Sequence, residues 1–90
     1  MKIFRLVIDA EREEHVGRHN VRVDEVEEAV LADPIVTRTR QGRYRLIGRT
    51  DAGRYLTVIV APRGRGVYGL VTARDADESE RRVYQRHRRG

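Results

Sequence analysis

Apolar and polar residues alternate from the start of the chain. In KIFRLVI, residues 2–8, Phe4, Leu6 and Ile8 fall on one side of an extended segment, which predicts a strand. The period then changes. Asp9 suits the N-cap of a weakly amphipathic helix over Ala10–His19, with Gly17 near its end. A second helix is predicted to open at Asp24, where Asp24 and Glu27 stand at capping-box spacing. Val23, Val26, Ala29 and Val30 form its apolar stripe, and Pro34 marks its end. Further strands are predicted over residues 35–40, 43–49, 54–61 and 66–73. The breaks between them carry the turn residues Gln41-Gly42, Asp51-Ala52-Gly53 and Arg63-Gly64-Arg65-Gly66. These spacings suit a meander of antiparallel hairpins. A last helix is expected over Asp77–His87, again with a capping box, Asp77 and Glu80, at its head. Its apolar stripe is narrow: Ala76, Val83 and Tyr84. The expected architecture is α+β, a single domain over residues 1–90 with two N-terminal helices, a small antiparallel sheet and one C-terminal helix.

A chain of 90 residues buries a modest share of its surface, so its stability is expected to be marginal without a partner. It has no cysteine, which fits a reducing compartment. No stretch approaches the roughly 18 apolar residues of a membrane span. The opening MKIFRLVIDA is too brief and too soon acidic for a signal peptide, so a soluble cytoplasmic protein is expected.

Charge sharpens the picture. Residues 1–34 carry five basic and nine acidic side chains; residues 35–90 carry fourteen basic and five acidic. Of the 19 basic residues all but Lys2 are arginine, whose rigid fork of donors suits phosphate oxygens. A GC-rich genome would also favour arginine over lysine, but it does not account for the polarity along the chain.

Much of that charge falls on one predicted hairpin. With Gln41-Gly42 as a two-residue turn, Arg40 faces Arg43, Arg38 faces Arg45 and Val36 faces Ile47, all on one side of the sheet. Ile35, Thr37, Thr39, Tyr44 and Leu46 would line the core side. Directly opposed like charges destabilise a hairpin, and a polyanion would offset them through counterion release. The alternative is a solvated face, and a one-residue slip in register would scatter the patch.

Other candidates are sparser. Glu11, His15 and His19 share a helix face by their spacing of four, and histidines so placed can hold a divalent metal. No carboxylate follows in a zincin pattern, and no metal or other cofactor is assigned. His19 could act as a general acid or base near neutral pH, or simply lie at the surface. Glu80 and Tyr84 share a face of the last helix and could dock it.

Taken in order, Arg18-His19, Arg43-Tyr44, Ile47-Gly48-Arg49-Thr50, Gly53-Arg54, Thr72-Ala73-Arg74, and Glu80-Arg81 with Tyr84 resemble the BrnT family of ribonuclease toxins from bacterial type II toxin–antitoxin systems. The match spans residues 9–86. It implies a fold similar to RelE-like toxins, with helices packed on one side of the sheet. It also implies endoribonuclease activity without a metal, inhibiting translation, and a neighbouring DNA-binding antitoxin that forms a complex with the toxin.

Carried onto this chain, the resemblance puts His19, Arg43, Arg74, Glu80 and Tyr84 at the catalytic centre. Arg18, Arg49, Arg54 and Arg81 would meet RNA, together with Arg38, Arg40 and Arg45 of the hairpin. Arg74 and Arg43 would stabilise charge on the phosphoryl oxygens; His19, or alternatively Glu80, would move the proton. Two departures stand out. Asn20 occupies a position where the family has glycine, a mild change because asparagine tolerates the left-handed conformation. Gly69 stands where family members commonly place an arginine. A non-catalytic nucleic-acid-binding module and a protein-interaction module remain the alternatives.

Overall fold

The computed structural model describes residues 2–89, and its element order follows the expected one. Strand β1 spans Arg5–Val7, helix α1 Ala10–Gly17, helix α2 Val23–Leu31, and strand β2 Ile35–Arg38. Strands β3 (Tyr44–Arg49), β4 (Tyr55–Gly64) and β5 (Val67–Asp75) follow, and helix α3 (Glu78–Arg89) closes the chain. The strands form one five-stranded sheet in the order β1-β5-β4-β3-β2.

Three of its four pairings are antiparallel, but β1 pairs with β5 in parallel, so the sheet is mixed rather than purely antiparallel. The two N-terminal helices bridge the edge strands β1 and β2. Such a connection leaves the short first strand free to lie along the last one.

Local chemistry sets the turns between elements. α1 ends in a Schellman motif: Val21 N–H bonds the Val16 carbonyl at 3.1 Å and Asn20 N–H bonds the Gly17 carbonyl at 3.0 Å. Asn20 takes the left-handed conformation at φ 62°, as expected for the residue that replaces glycine. Val16 and Val21, brought together by the motif, are both buried. Asp9 precedes α1 but makes no side-chain cap; its carboxylate turns instead to Arg63. α2 opens one residue ahead of Asp24, and the Arg22 N–H donates to Glu25 Oε1 at 3.0 Å in place of the expected Asp24–Glu27 box. At α3 the anticipated box is complete: Glu80 N–H donates to Asp77 Oδ1 at 2.8 Å, and Asp77 N–H donates to Glu80 Oε1 at 2.9 Å.

The main core lies between one sheet face and the N-terminal helices. Val16, Val26, Ala29 and Val30 pack against Leu46, Leu56, Val58, Val60, Leu70 and Ala73. Gly48 permits this contact, because a Cβ there would come within 2.2 Å of the Ala29 carbonyl oxygen. Ile47 projects to the other face, where it joins Ala76, Tyr84, Tyr55 and Ile35 beneath α3. The third helix therefore packs opposite the other two, not on the same side. Its stripe also differs from the expected one, since Val83 is 42% exposed while Tyr84 and Glu80 are buried. Phe4, expected to share the core face with Leu6 and Ile8, is 75% exposed.

Candidate nucleic-acid interface

Register decides which arginines meet. β2 and β3 pair as Ile35↔Ile47, Val36↔Leu46, Thr37↔Arg45 and Arg38↔Tyr44. The Thr39 N–H then bonds the Arg43 carbonyl, closing a three-residue loop, Arg40-Gln41-Gly42, in which Gly42 sits at φ 72°. A third loop residue in the left-handed region is the usual way such hairpins close. The expected two-residue turn is thus replaced, and the register moves by one residue. Arg38 goes to the helical-core side, where its guanidinium lies 5.8 Å from the Tyr44 ring centroid. Arg40 is exposed on the loop tip. Arg43 and Arg45 stay together on the opposite face, the one that α3 only partly covers.

Strand pairing extends that face into a grid. One row across the sheet runs Ile35, Ile47, Thr57 and Arg74, and α3 roofs it. The next row runs Thr37, Arg45, Ile59 and Thr72. Beyond it Ala61 lies opposite Gly69, with Arg43 just ahead of the flanking strand β3. With strands spaced by about 4.8 Å, β3 and β5 stand about 10 Å apart. The result is a shelf floored by Ile59 and Ala61, with Arg43 and Arg45 along one side and Arg74 at the roofed end.

Arg74 is the most firmly held of these. Its Nη1 and Nη2 donate to Glu80 Oε1 and Oε2 at 2.8 and 3.0 Å, a fork-to-fork pair, and Nη1 also reaches the Asp75 carbonyl at 3.1 Å. The Glu80 side chain is only 6% exposed. Burial by itself would raise its pKa. The Arg74 bonds, the Asp77 N–H and the neighbouring Thr57 hydroxyl outweigh that and bring the carboxyl down to about 2. The Thr57 hydroxyl lies buried against this carboxylate without a hydrogen bond of standard geometry. Arg45 completes the surroundings, with Nη1 3.6 Å from Glu80 Oε2 and Nε donating to Thr37 Oγ1 at 3.2 Å. Glu80 is therefore a fixed anion that aims two guanidinium groups.

One histidine reaches the far side of the shelf. His15, half-buried on α1, places Nε2 3.0 Å from Thr72 Oγ1. By strand alternation Thr72 projects to the same face as Arg74. His19 is exposed in the turn after α1, its ring 5.4 Å from that of His15 in an edge-to-face arrangement. The contact to Thr72 made His15 invisible as a shelf residue in sequence, since it depends on where α1 docks.

The remaining predicted positions lie elsewhere. Arg54 is tied into the scaffold: it donates to Asp75 Oδ1 at 2.7 Å, to Glu25 Oε1 at 3.0 Å and to the Asn20 carbonyl at 2.7 Å. Its hydrogen bond holds the Asp75 carboxyl below the usual range. Arg18 is exposed and pairs with Glu14 one turn back. Arg49 lies over the Tyr55 ring at 5.6 Å, and Arg81 is exposed on α3. Tyr84 is buried edge-to-face against Tyr55 at 5.5 Å, and its hydroxyl accepts from Arg88 Nε at 3.2 Å. These contacts dock α3.

Gly69 is covered by Arg63, a residue expected in the turn after the strand. β4 runs on through Gly64, and only Arg65-Gly66, at φ 55° and 77°, makes the turn. The guanidinium of Arg63 lies over Gly69, on the shelf side.

The arrangement is a small α+β domain whose mixed sheet carries helices on both faces and leaves an arginine-lined strip of one face open. A solved structure of the same kind is that of the Brucella abortus ribonuclease toxin BrnT, determined at 1.1 Å, which superposes with a TM-score of 0.67 over 82% of this chain and 97% of that one. Sequence identity is 19%, so the likeness is one of fold. No protein-family model matches the chain, and no curated protein matches it significantly.

Proposed function

We propose that the chain is the toxin of a bacterial type II toxin–antitoxin system, an endoribonuclease that cuts RNA without a metal and so inhibits translation. The observation that carries this reading is the open shelf: Arg43, Arg45 and Arg74 converge on an uncovered strip of sheet, and buried Glu80 orients two of them. The fold it shares with a ribonuclease toxin adds support. An RNA phosphodiester laid on the shelf meets guanidinium donors from two sides. Attack of the 2′-hydroxyl on the adjacent phosphorus builds charge on the phosphoryl oxygens, which Arg74 and Arg45 would stabilise. The histidine pair, His15 and His19, supplies the proton-transfer groups. Glu80 does not, because its carboxyl stays ionised and paired throughout the neutral range. The partner on this reading is a DNA-binding antitoxin, and both act in the bacterial cytoplasm.

The test is cleavage of RNA by purified protein in the presence of a chelator. Wild type is expected to generate fragments ending in 2′,3′-cyclic phosphate, and Arg45→Ala to lose most of that activity. Growth arrest on expression, relieved by co-expressing the neighbouring gene, is the expected cellular counterpart. Salt-sensitive RNA binding with intact RNA favours a second reading, a binding module without catalysis. The paired, unavailable state of Glu80 is the observation on its side. Absence of both cleavage and binding overturns the proposal.

A further inference from the structure

The shelf has a fourth cation, from a residue that neither hydrophobic pattern nor motif singled out. Arg63 lies at a register shift between Pro62 and Gly64, where the β4–β5 ladder is interrupted. Two residues beyond Ala61, it shares that residue's face by strand alternation, and the bulge releases it from the ladder. Its guanidinium lies over Gly69 of the neighbouring strand β5. A Cβ on Gly69 would come within 2.5 Å of Arg63 Nε, 2.8 Å of Nη2 and 2.9 Å of Cζ, so the guanidinium occupies the space a side chain at 69 would take. Gly69 is buried beneath it, in strand conformation rather than at a positive φ, so no turn accounts for the glycine. Leu70 faces the main core, so position 69 faces the shelf, opposite Ala61 of the floor.

Arg63 is anchored from behind. Its Nη2 lies 3.3 Å from Asp9 Oδ2, with side chains 46% and 57% exposed. Exposed pairs of this kind contribute little, so an incoming phosphate competes on easy terms. The guanidinium stands across the floor from Arg43 and Arg45, on the β5 side of the shelf.

We infer that Arg63 is a phosphate-binding residue of the shelf, seated by the absent side chain of Gly69, and that it grips the RNA backbone on the side opposite Arg43 and Arg45. This inference rests on the proposed function, which it deepens by extending the bound path across β4 to β5.

The experiment measures the affinity of the full chain for a mixed-sequence single-stranded RNA oligonucleotide as salt is varied. Arg63→Ala is expected to weaken binding about fivefold near 0.1 M salt and to reduce the slope of log K against log salt by about 0.7, the value for one lost phosphate contact on a single strand. Gly69→Ala, which displaces the guanidinium, is expected to do the same. In an Arg63→Ala background Gly69→Ala is expected to change nothing further, because the guanidinium atoms nearest the new methyl are then already gone. Thermal melts accompany each variant, and Arg63→Ala, an exposed truncation, keeps the test valid should Gly69→Ala fold poorly.

The inference is overturned if Arg63→Ala retains the wild-type slope while Arg45→Ala lowers it, an outcome that leaves the proposed function intact. It is also overturned if Gly69→Ala lowers the slope further when Arg63 is already gone. Wild-type protein without salt-dependent RNA binding removes the proposed function, and this inference with it.

Discussion

Arg74 at the end of β5 and Glu80 in the first turn of α3 grip each other through two hydrogen bonds of 2.8 and 3.0 Å, and the same carboxylate accepts the Asp77 N–H that caps the helix. One buried anion thus ties the start of the last helix to the cation at the strand corner. That answers why a helix with so little apolar surface stays in place. Tyr84 and Ala76 supply the packing, and Glu80 supplies the lock.

The lock has a pH signature. The Glu80 carboxyl has a folded pKa of about 2 against an ordinary value of 4.5. A lowered folded pKa contributes stability that is fully present above the ordinary value and is lost as pH falls towards the folded one. The interval corresponds to about 3 kcal/mol at neutral pH. Urea unfolding of wild type and Glu80→Gln should therefore differ most above pH 4.5 and converge between pH 4.5 and 2. A constant difference across that window would show that the carboxylate is not held by its charge.

Removing the cation is the harsher change. Arg74→Ala leaves the buried Glu80 without its main partner, a situation that typically costs about 3–5 kcal/mol. Arg74→Ala with Glu80→Gln should recover part of that loss, measurable as a higher midpoint of denaturation than Arg74→Ala alone.

Gly48→Ala tests the contact between α2 and the sheet. The added methyl would stand 2.2 Å from a backbone oxygen that belongs to a helix, and no side-chain rotation relieves it. Overpacking of this kind costs about 1–3 kcal/mol, sometimes more, and thermal unfolding should report a loss at or above the top of that range.

Arg54 separates scaffold from surface. Its bonds to Asp75, Glu25 and the Asn20 carbonyl link β4, β5, α2 and the turn after α1. Arg54→Ala should lower stability by about 1–3 kcal/mol while leaving the salt slope of RNA binding unchanged. A reduced slope in a stably folded Arg54→Ala protein would return this residue to the RNA-contacting set.

Sequence patterning foretold the element order and the Asp77–Glu80 box because both depend on residues close together in the chain. Asn20 was legible for the same reason: its left-handed turn is local chemistry. The β2–β3 register was not, because Gln41-Gly42 fits a two-residue turn as well as the last two positions of a three-residue loop. The choice between them rests on Val36 and Leu46 pairing in the core. One residue of slip sent Arg38 to the opposite face from Arg45. The parallel pairing of β1 carries no local signal, since three residues of strand read alike in either direction. Arg63 was missed because the strand was expected to end at residue 61, whereas β4 runs on through Gly64. The hint available was Gly69, a glycine in an otherwise apolar strand, which points to close approach by another group.

The salt dependence of RNA binding by wild type beside an Arg43→Ala/Arg45→Ala variant probes the shelf most directly. Wild type should show a steep decline of log K with log salt, and the double variant a slope shallower by about 1.4, two phosphate contacts' worth, with its thermal stability retained. Equal slopes for the two proteins would mean that the nucleic acid, if bound at all, lies elsewhere on the molecule.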